Sequence, residues 1–491
     1  MSTRPRRSKL ELTDTTYFRH VVSALAPARL DWVAKHAGYR PPREPGKPFR
    51  HLDLGCGYGT TSLLLAAALP EGEFVGLDLV RAHITDAKRF ARRAGLANTR
   101  FLAGSFADAL AGRFGDLGRF DYVTAHGVLA WVPEAARTEL FELIDRTLAP
   151  GGLLYLGYNC AFGWASAMPM QAFVRAHAER AGAGDPPGRA SAAFAAAREL
   201  HATGAQGLYG IPLAQYLLEQ SVTYPPAYLV HEYLAPDWRP LTAAEVLDRA
   251  ATSGIDRLGS TRLVENRDDF TLRQAQRDML RGLADPILAE LVRDLCRAPT
   301  FRSDVFGRGT PKLPSSTARA ARLDQHVVLT CGADDVSYET RTDAGVLNFE
   351  NDVTRAIADA AAVGPISLRA IAKTAGIRPA TVLNAADALF ASEQLEPVDP
   401  PRAAPPPKVA RVNALLRDSA GTPAQAAAQS TALGVVRAAD AATLVFLAAD
   451  PKAGRRRLRE AALARGVAVR IADAATFARS GRDIWRRFGV T

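Results

Sequence analysis

The sequence contains few cysteines and no long hydrophobic run. Its 491 residues include four cysteines, which lie far apart without a CxxC pair or a nearby histidine at metal-ligand spacing. Zinc sites and disulfide frameworks need such spacings, so we expect reduced thiols and no metal. No apolar run reaches the roughly 18 residues that cross a bilayer, and the basic N-terminal residues lack the apolar stretch of a secretory signal. These absences predict a cytoplasmic protein that does not insert into a membrane.

The composition is that of a folded protein with a positive charge. Hydrophobic residues make up 48% of the chain, which is enough for sizeable cores and excludes a wholly disordered chain. The net charge of +10 and the pI of about 9.6 favour acidic partners. Arginine is abundant along the whole chain, however, and the excess is not concentrated in one patch. Charge alone therefore assigns no partner.

Shifts in composition divide the chain into several segments, in keeping with a length that suggests about two to four domains. Proline-rich stretches end the first segment and open the fifth. The predicted segments are an N-terminal helical cap (1–48), an α/β domain (49–160), a mostly helical middle domain (161–320), a winged-helix-like domain (321–399), a Pro/Ala-rich linker (400–430) and a small C-terminal α/β segment (431–491). Within the middle domain, the Ala/Gly-rich stretch 178–205 predicts a flexible insertion or a helix with a loop.

Short apolar runs alternate with helical patterns between residues 49 and 159. Such alternation, with strands that are apolar on both faces, indicates a parallel sheet covered by helices on both sides. The predicted fold is therefore α/β, with a Rossmann-like doubly wound sheet. The predicted strands include residues 51–54, 73–78, 101–102, 122–124 and 153–156.

The rhythm of residues 366–389 is that of a helix-turn-helix, and residues 395–398 are its predicted wing strand. The second predicted helix carries a single arginine, whereas phosphate and base contacts require several basic residues. Binding of nucleic acid is therefore not favoured. The favoured role of this segment is interaction with a protein, which includes formation of a homodimer. Beyond the linker we predict strands at 443–447 and 468–471 around a basic helix.

The strongest motif is a glycine-rich turn between a predicted strand and a predicted helix. Gly55, Gly57 and Gly59 let the backbone turn sharply and approach a ligand. Asp78 ends the next strand, where a carboxylate can accept hydrogen bonds from a ribose diol. The order G-x-G-x-G differs from the G-x-G-x-x-G of dinucleotide binders, and Asp53 before it can orient an amino group. These features favour S-adenosylmethionine (AdoMet) over a nicotinamide cofactor.

Residues 49–159 resemble the class I AdoMet-dependent methyltransferases. The resemblance lies in this turn, in Asp78 and in the short sequence stretches 120–123 and 148–153. The likeness narrows to bacterial methyltransferases that carry a methyltransferase regulatory domain, a group that includes the rickettsial protein-lysine methyltransferases. Residues 125–133 and 157–164 carry this narrower likeness, and residues 231–234 fit the middle domain of that family. The resemblance implies AdoMet as the cofactor and transfer of its methyl group to an acceptor, for which protein lysine is favoured.

The adenine contacts depart from the family pattern. Ser105 stands where many class I enzymes place an aspartate that bonds the adenine amino group. Ser105 can still donate or accept, and Phe106 can stack beside the ring. Asp108 is a weaker substitute, with a plain surface carboxylate as the favoured interpretation. Tyr17 closes over AdoMet from the N-terminal helix in one interpretation and packs against apolar residues in the other.

The acceptor site is expected beyond the carboxyl ends of the fourth and fifth strands. We predict that Tyr158 and Asn159, after the fifth strand, line the acceptor channel and hold the remaining protons of an amine. His126, after the fourth strand, is the candidate general base, with a purely structural role left open.

Four further residues are weaker candidates for the acceptor site. Trp131 and Trp164 are candidate walls, although simple packing is favoured for Trp131. His231 and Glu232 face the acceptor mouth in one interpretation, while a helix-packing pair is the favoured one.

Three functions follow as hypotheses. The first is an AdoMet-dependent methyltransferase that acts on protein lysine. The second keeps the chemistry but transfers the methyl group to a small molecule or a cell-surface sugar. The third is an AdoMet-binding sensor without catalysis.

Overall fold

A seven-stranded sheet lies at the centre of the computed structural model, which describes residues 19, 21–181, 184–404, 406–418, 428–430 and 436–438. The strands are β1 Phe49–Leu54, β2 Gly72–Asp78, β3 Thr99–Ala103, β4 Phe120–His126, β5 Leu148–Asn159, β6 Ile255–Ser260 and β7 Phe301–Arg308. Their spatial order is β3-β2-β1-β4-β5-β7-β6. Strands β1 to β5 are parallel, whereas β7 runs antiparallel to both β5 and β6. The predicted Rossmann-like α/β fold is confirmed.

Helices cover both faces of the parallel strands because those strands bury apolar residues on both sides. Leu52 and Leu54 of β1 and Leu77 of β2, for example, are fully buried. Gly95 ends the third of these helices in the left-handed conformation, with φ +70°, as expected for a glycine C-cap. The helices of this layer are α1 Pro27–His36, α2 Thr60–Ala68, α3 Arg81–Ala94, α4 Phe106–Leu110 and α5 Glu134–Thr147.

The middle region forms a helical layer beside the carboxyl ends of the strands. Several of its helices begin with proline, whose fixed φ suits the first helical position. In the Ala/Gly-rich stretch, residues 178–180 end one helix and residues 186–202 form the next, and Phe194 of the latter is buried against Tyr233. The helices are α6 Ala161–Trp164, α7 Met168–Arg180, α8 Pro186–Ala202, α9 Pro212–Gln220, α10 Pro226–Leu234, α11 Ala243–Ala251, α12 Asp268–Thr271, α13 Gln274–Arg281 and α14 Pro286–Arg297.

The expectation that residues 161–320 are mostly helical omits two strands. Strands β6 and β7 return from this region and extend the central sheet beyond β5. The hydrophobic pattern did not predict these two strands because polar residues occupy their buried positions. Arg302 and Asp304 of β7 are 5% and 1% exposed, and their charges compensate each other within a network that includes Glu290 of α14. A strand buried through ion pairs carries no hydrophobic signature.

The C-terminal described region packs against the N-terminal helix. Trp32 of α1 contacts the ring of Phe390, with centroids 4.7 Å apart, and Arg29 pairs with Glu396 at 2.6 Å. The elements here are α15 Ser315–Leu323, β8 His326–Leu329, β9 Glu339–Thr342, β10 Gly345–Asn348, α16 Asp352–Val363, β11 Ile366–Ser367, α17 Leu368–Thr374, α18 Pro379–Ala391, β12 Leu395–Val398, α19 Pro407–Asp418, β13 Ala428–Ser430 and β14 Val436–Ala438.

Two helices and two short strands occupy the segment in which we predicted a helix-turn-helix and a wing. Helices α17 and α18 lie beside a small antiparallel sheet of order β11-β8-β12. The winged-helix interpretation itself stays a prediction. Within the predicted linker, residues 407–418 form α19, whose Val412 is fully buried. The strands and the basic helix predicted after residue 440 lie outside the described residues.

A membrane span can be sought only in the part of the chain that the structure describes. There, no helix combines the length and the apolar character that crossing a bilayer requires.

Candidate active site

The glycine-rich turn has the conformation that its sequence predicts. Gly55, Gly57 and Gly59 all have positive φ, at +77°, +55° and +63°, a region that side chains other than glycine rarely adopt. A Cβ atom on Gly55 would also overlap Val128, so this position needs glycine for packing as well. A Cβ on Gly57 would meet no atom within 4 Å. The backbone at Gly57 is therefore uncovered, and Gly59 is the N-cap residue of α2.

Asp78 ties the end of β2 to this turn. Its Oδ2 accepts a hydrogen bond from the backbone N–H of Gly57 at 2.8 Å, and its Oδ1 accepts one from Val80 at 2.9 Å. A carboxylate has about four lone-pair positions, so it can accept further hydrogen bonds from a ligand while it holds the loop.

Asp53 lies on the floor of the same site. Its Oδ2 accepts a hydrogen bond from Ser62 at 2.8 Å and its Oδ1 accepts one from Thr124 at 3.2 Å. The side chain is almost fully buried. Burial disfavours the charged form and raises the pKa of Asp53 to about 6, although the two hydroxyl donors oppose this.

Ser105 and Asp108 form a capping box at the start of α4. Ser105 Oγ accepts from the N–H of Asp108 at 3.0 Å, and Asp108 Oδ2 accepts from the N–H of Ser105 at 2.9 Å. The Ser105 hydroxyl is thereby engaged in holding the helix start. Asp108, which we weighed as a substitute adenine ligand, has its carboxylate committed to this cap. Phe106 lies against the cavity described next.

A cavity of about 730 Å³ extends from the glycine turn to the helices of the middle region. Among the described residues, its lining includes predicted site residues and four weaker candidates. They are Asp53, Gly55, Gly57, Asp78, Ser105, Phe106, His126, Asn159, Trp131, Trp164, His231 and Glu232. Gly59 and Tyr158 do not line it, and Tyr17 lies outside the described residues. The structure thus brings most of the predicted residues around one space.

His126 ends β4 and lines the cavity. Its Nδ1 lies 2.8 Å from the hydroxyl of Tyr155, and its ring contacts Phe301 with centroids 5.1 Å apart. The neighbouring Asn159 ends β5 and is 7% exposed. Its Oδ1 is buried and has no hydrogen-bond partner among the described residues. Because an unpaired buried acceptor is costly, this oxygen is suited to receive a donor from a ligand.

The structure contradicts the prediction that Tyr158 lines the acceptor channel. Successive residues of a strand point to opposite faces, so Tyr158 and Asn159 cannot both face the cavity. Tyr158 is fully buried on the other face, where its hydroxyl donates to Asp304 Oδ2 at 2.9 Å. Tyr158 therefore stabilises the sheet and does not contact the cavity.

Four tyrosines from the middle region complete the cavity, and the sequence analysis did not assign them. They are Tyr216, Tyr224, Tyr228 and Tyr233. Burial, followed by the nearby Glu232 carboxylate, raises the pKa of Tyr228 and of Tyr233, so both remain neutral phenols. In the sequence these tyrosines form a tyrosine-rich stretch on both sides of His231, but they lack the spacing of a known motif.

The aromatic wall is packed as one cluster. The ring of Trp164 lies edge-on to Trp238 at 4.9 Å and to Tyr233 at 6.3 Å. Trp131 lines the cavity and also contacts Trp238 at 6.4 Å. Trp131 therefore combines the packing role that we favoured with a position on the wall.

Two family models match this chain. Residues 46–182 match a methyltransferase domain, and residues 225–308 match a family described as a predicted methyltransferase regulatory domain. An uncharacterised protein of Synechocystis sp. is 28% identical over 335 residues, which are 67% of this chain and 65% of that protein. Trans-aconitate 2-methyltransferase of Methylobacterium nodulans is 36% identical over 107 residues, which are 22% of this chain and 37% of the enzyme. The matches therefore span less than two thirds of these curated relatives.

Among solved structures, PKMT2 from Rickettsia typhi in complex with AdoHcy superposes with a TM-score of 0.68. The superposition covers 92% of this chain and 93% of that chain at 18% sequence identity. At this identity the similarity establishes a shared fold. The family models therefore identify a methyltransferase domain followed by a predicted methyltransferase regulatory domain in this chain.

Proposed function

We propose that this protein transfers the methyl group of AdoMet to an amine, and that the amine is the side chain of a protein lysine. One observation carries the proposal. A single cavity joins the glycine turn and Asp78 to an aromatic chamber that contains Asn159 and Glu232. Donor and acceptor can therefore meet inside one continuous space, which is the main requirement of a displacement reaction that depends on alignment.

The residues at the turn fit AdoMet. Gly57 leaves its backbone uncovered, and Asp78 next to it retains lone pairs for the ribose hydroxyls. Asp53 on the floor suits the α-amino group, because a buried carboxylate attracts a cation strongly. Phe106 offers a ring surface for adenine. When bound, AdoMet supplies an electrophilic methyl group on a sulfonium.

The acceptor end suits a cation that becomes a neutral nucleophile. Tyrosine and tryptophan faces attract ammonium groups, and the carboxylates of Glu232 and Asp237 add to this attraction. Asn159 Oδ1 accepts an N–H bond of the amine and orients its lone pair. His126 accepts the proton that an ammonium must lose, because without that loss the nitrogen has no lone pair to attack with.

A small-molecule acceptor is the second candidate, favoured by the 36% identity to trans-aconitate 2-methyltransferase. A substrate with several carboxylates requires cationic partners, however. Among the described residues that line the cavity, Arg19 is the one arginine and lysine is absent. Arg19 lies over the ring of Tyr58 beside the glycine turn, away from the tyrosine wall. The charge of the chamber therefore supports an amine over a carboxylate.

Incubation of the full chain with AdoMet labelled in its methyl group, in a lysate of the source cell, tests the acceptor. We expect mass spectrometry to find the label on protein lysine. The Asp78→Ala variant, which should not bind the cofactor well, is the matched control. Label confined to small molecules would replace the lysine acceptor with the second candidate. Cofactor binding by calorimetry without any release of S-adenosylhomocysteine would support the sensor hypothesis instead.

A cytoplasmic location and a homodimer are part of the same proposal. The helix-turn-helix-like segment, for which the sequence favours a protein-interaction role, supports the homodimer. Light scattering coupled to size-exclusion chromatography tests the dimer, since a monomeric mass at micromolar concentration would contradict it.

A further inference from the structure

Three neighbouring strands place His126, Gly157 and Ser303 side by side. In the register of the sheet, His126 of β4 pairs with Gly157 of β5, and Gly157 pairs with Ser303 of β7. Paired residues lie on the same face, so the histidine and the serine flank a position that has no side chain. Tyr155, two residues earlier on β5, lies on this face as well.

The hydroxyl of Tyr155 fills the space above Gly157. It lies 2.8 Å from Nδ1 of His126 and 3.4 Å from Oγ of Ser303. A Cβ atom on Gly157 would come within 2.6 Å of His126 Nδ1 and 2.8 Å of the Tyr155 hydroxyl oxygen. Only glycine therefore leaves room for this hydroxyl between the two side chains.

The fully buried Tyr155 hydroxyl lies between His126 and Ser303. It has one proton, which it can donate either to Ser303 Oγ or to His126 Nδ1. When the proton goes to Ser303, the tyrosine oxygen accepts from His126, and Nδ1 carries the hydrogen of the neutral ring. In that tautomer Nε2 has no hydrogen and is the basic atom.

We propose that Ser303 and Tyr155 are positioning residues that hold the proton of His126 on Nδ1, so that Nε2 acts as the base. This inference rests on the proposed role of His126 in methyl transfer. An acceptor ammonium gives one proton to Nε2, and the imidazolium that forms keeps its Nδ1–H bond to Tyr155. The freed nitrogen lone pair forms the new bond to the methyl carbon while the carbon–sulfur bond breaks, and the sulfide leaves with that electron pair. The proton on His126 then passes to solvent.

This arrangement gives the regulatory domain a direct part in the chemistry. Ser303 lies on β7, within the 225–308 segment that matches the regulatory family. The methyltransferase segment supplies the histidine and the tyrosine, and the second segment supplies the hydroxyl that orients them. The regulatory segment thus supplies one of the residues that set the tautomer of the general base His126.

Nitrogen chemical shifts of ¹⁵N-histidine in the full chain report the tautomer directly. At a pH of about 8, above the ordinary pKa of histidine, we expect a protonated Nδ1 and an unprotonated Nε2 for His126. The His126→Gln variant identifies this signal among the nine histidines of the chain. In Tyr155→Phe the preference should be lost, with a turnover about tenfold lower as part of the usual contribution of a general base. The KM for AdoMet should not change.

Ser303→Ala keeps the proposal testable if the tyrosine variant does not fold. It should shift the tautomer in the same direction, and Ser303→Thr, which keeps a hydroxyl, should restore both tautomer and turnover. Unchanged nitrogen shifts in both Tyr155→Phe and Ser303→Ala would overturn the inference while leaving the base intact. Full turnover in His126→Gln would instead overturn the role of His126 itself, and the inference with it.

Discussion

At the scale of single residues, Asp53 has the charge state that matters most for the cofactor. Its pKa is raised to about 6 by burial, so it is mostly protonated at pH 5 and mostly ionised at pH 7. Ionisation favours binding of a cation, so the affinity for AdoMet should rise with pH through this range. The fraction of protein with an ionised Asp53 is about tenfold smaller at pH 5 than at pH 7, so the apparent Kd for AdoMet should be about tenfold higher at pH 5.

Calorimetry at several pH values checks this expectation. Asp53→Asn removes the titrating group, so its AdoMet affinity should be weak and nearly constant between pH 5 and pH 7. An identical pH dependence in wild type and in this variant would show that another group is responsible.

The Asp78→Ala substitution tests the ribose contact. Loss of hydrogen bonds to a charged acceptor should weaken AdoMet binding by about 1–3 kcal/mol. Glu142→Ala is the matched control, because Glu142 is an exposed carboxylate on α5 whose partner is Arg146 on the same helix. If both variants bind AdoMet like the wild type, the ribose contact is elsewhere.

Residue types were easier to predict than side-chain directions. The glycine turn and Asp78 could be predicted because positive φ and a carboxylate at a strand end leave a residue-type signal. Tyr158 and Asn159 were paired because both follow the fifth apolar run. The strand extends to Asn159, however, and its alternation sends Tyr158 to Asp304 on the opposite face. The sequence does not reveal where a strand ends closely enough to decide this.

At the scale of elements, β7 is held by buried charges. Asp304 accepts hydrogen bonds from Arg302 and Arg257 at 2.7 and 2.8 Å. Removal of one partner from a buried ion pair leaves uncompensated charge, so Asp304→Asn should lower the free energy of unfolding by about 3–5 kcal/mol. Urea denaturation measures this, and Asp256→Asn, an exposed carboxylate on β6, is the control.

The Asp304 carboxylate also makes the free energy of unfolding depend on pH. Burial raises the pKa of Asp304, but Arg302 and Arg257 outweigh burial and bring it well below the usual range. The stabilisation is therefore present above the ordinary aspartate pKa of about 4 and is lost as the pH falls below it. Wild type should lose more stability between pH 5 and pH 3 than Asp304→Asn does. Equal losses would assign acid unfolding to other groups.

Helix α10 carries the proposed selectivity for a cationic acceptor. Glu232→Gln should raise the KM for a lysine-containing acceptor peptide about fivefold, as expected for a partly exposed charge pair worth about 1 kcal/mol. The Kd of AdoMet should not change. Glu219→Gln on α9 is the control, since Glu219 is exposed and does not line the cavity. A fivefold change in both variants would indicate a general field effect.

The elements differ in how well their sequences predict them. Strands β1 to β5 could be predicted because both of their faces are apolar and helices follow in alternation. Strands β6 and β7 could not, because Arg257, Arg302 and Asp304 occupy positions that a pattern search reads as exposed. Helix α19 lies inside a proline-rich stretch whose composition indicated a linker, and tertiary packing of Val412 overrides that composition.

At the scale of the whole molecule, one hydrophobic core runs from the N-terminal helix to the C-terminal described helices. It includes Trp32 of α1, Phe49 of β1, Phe390 of α18 and Val412 of α19. We expect a single thermal transition, with Trp32→Ala lowering the free energy of unfolding by about 3–5 kcal/mol. Val363→Ala, at a position that is 90% exposed, is the control. Two separate transitions in calorimetry would contradict the shared core.

The antiparallel pairing of β5 with β7 has a consequence for work with fragments. A chain that ends after the first family match, near residue 182, would leave residues 153–159 of β5 without their outer neighbour. The bare backbone groups from Leu153 to Asn159 would then form an apolar template on which other chains can add strands. Such a truncated protein should self-associate through the exposed edge of β5. Addition of residues 225–308 as a separate polypeptide should suppress this self-association by pairing with that edge.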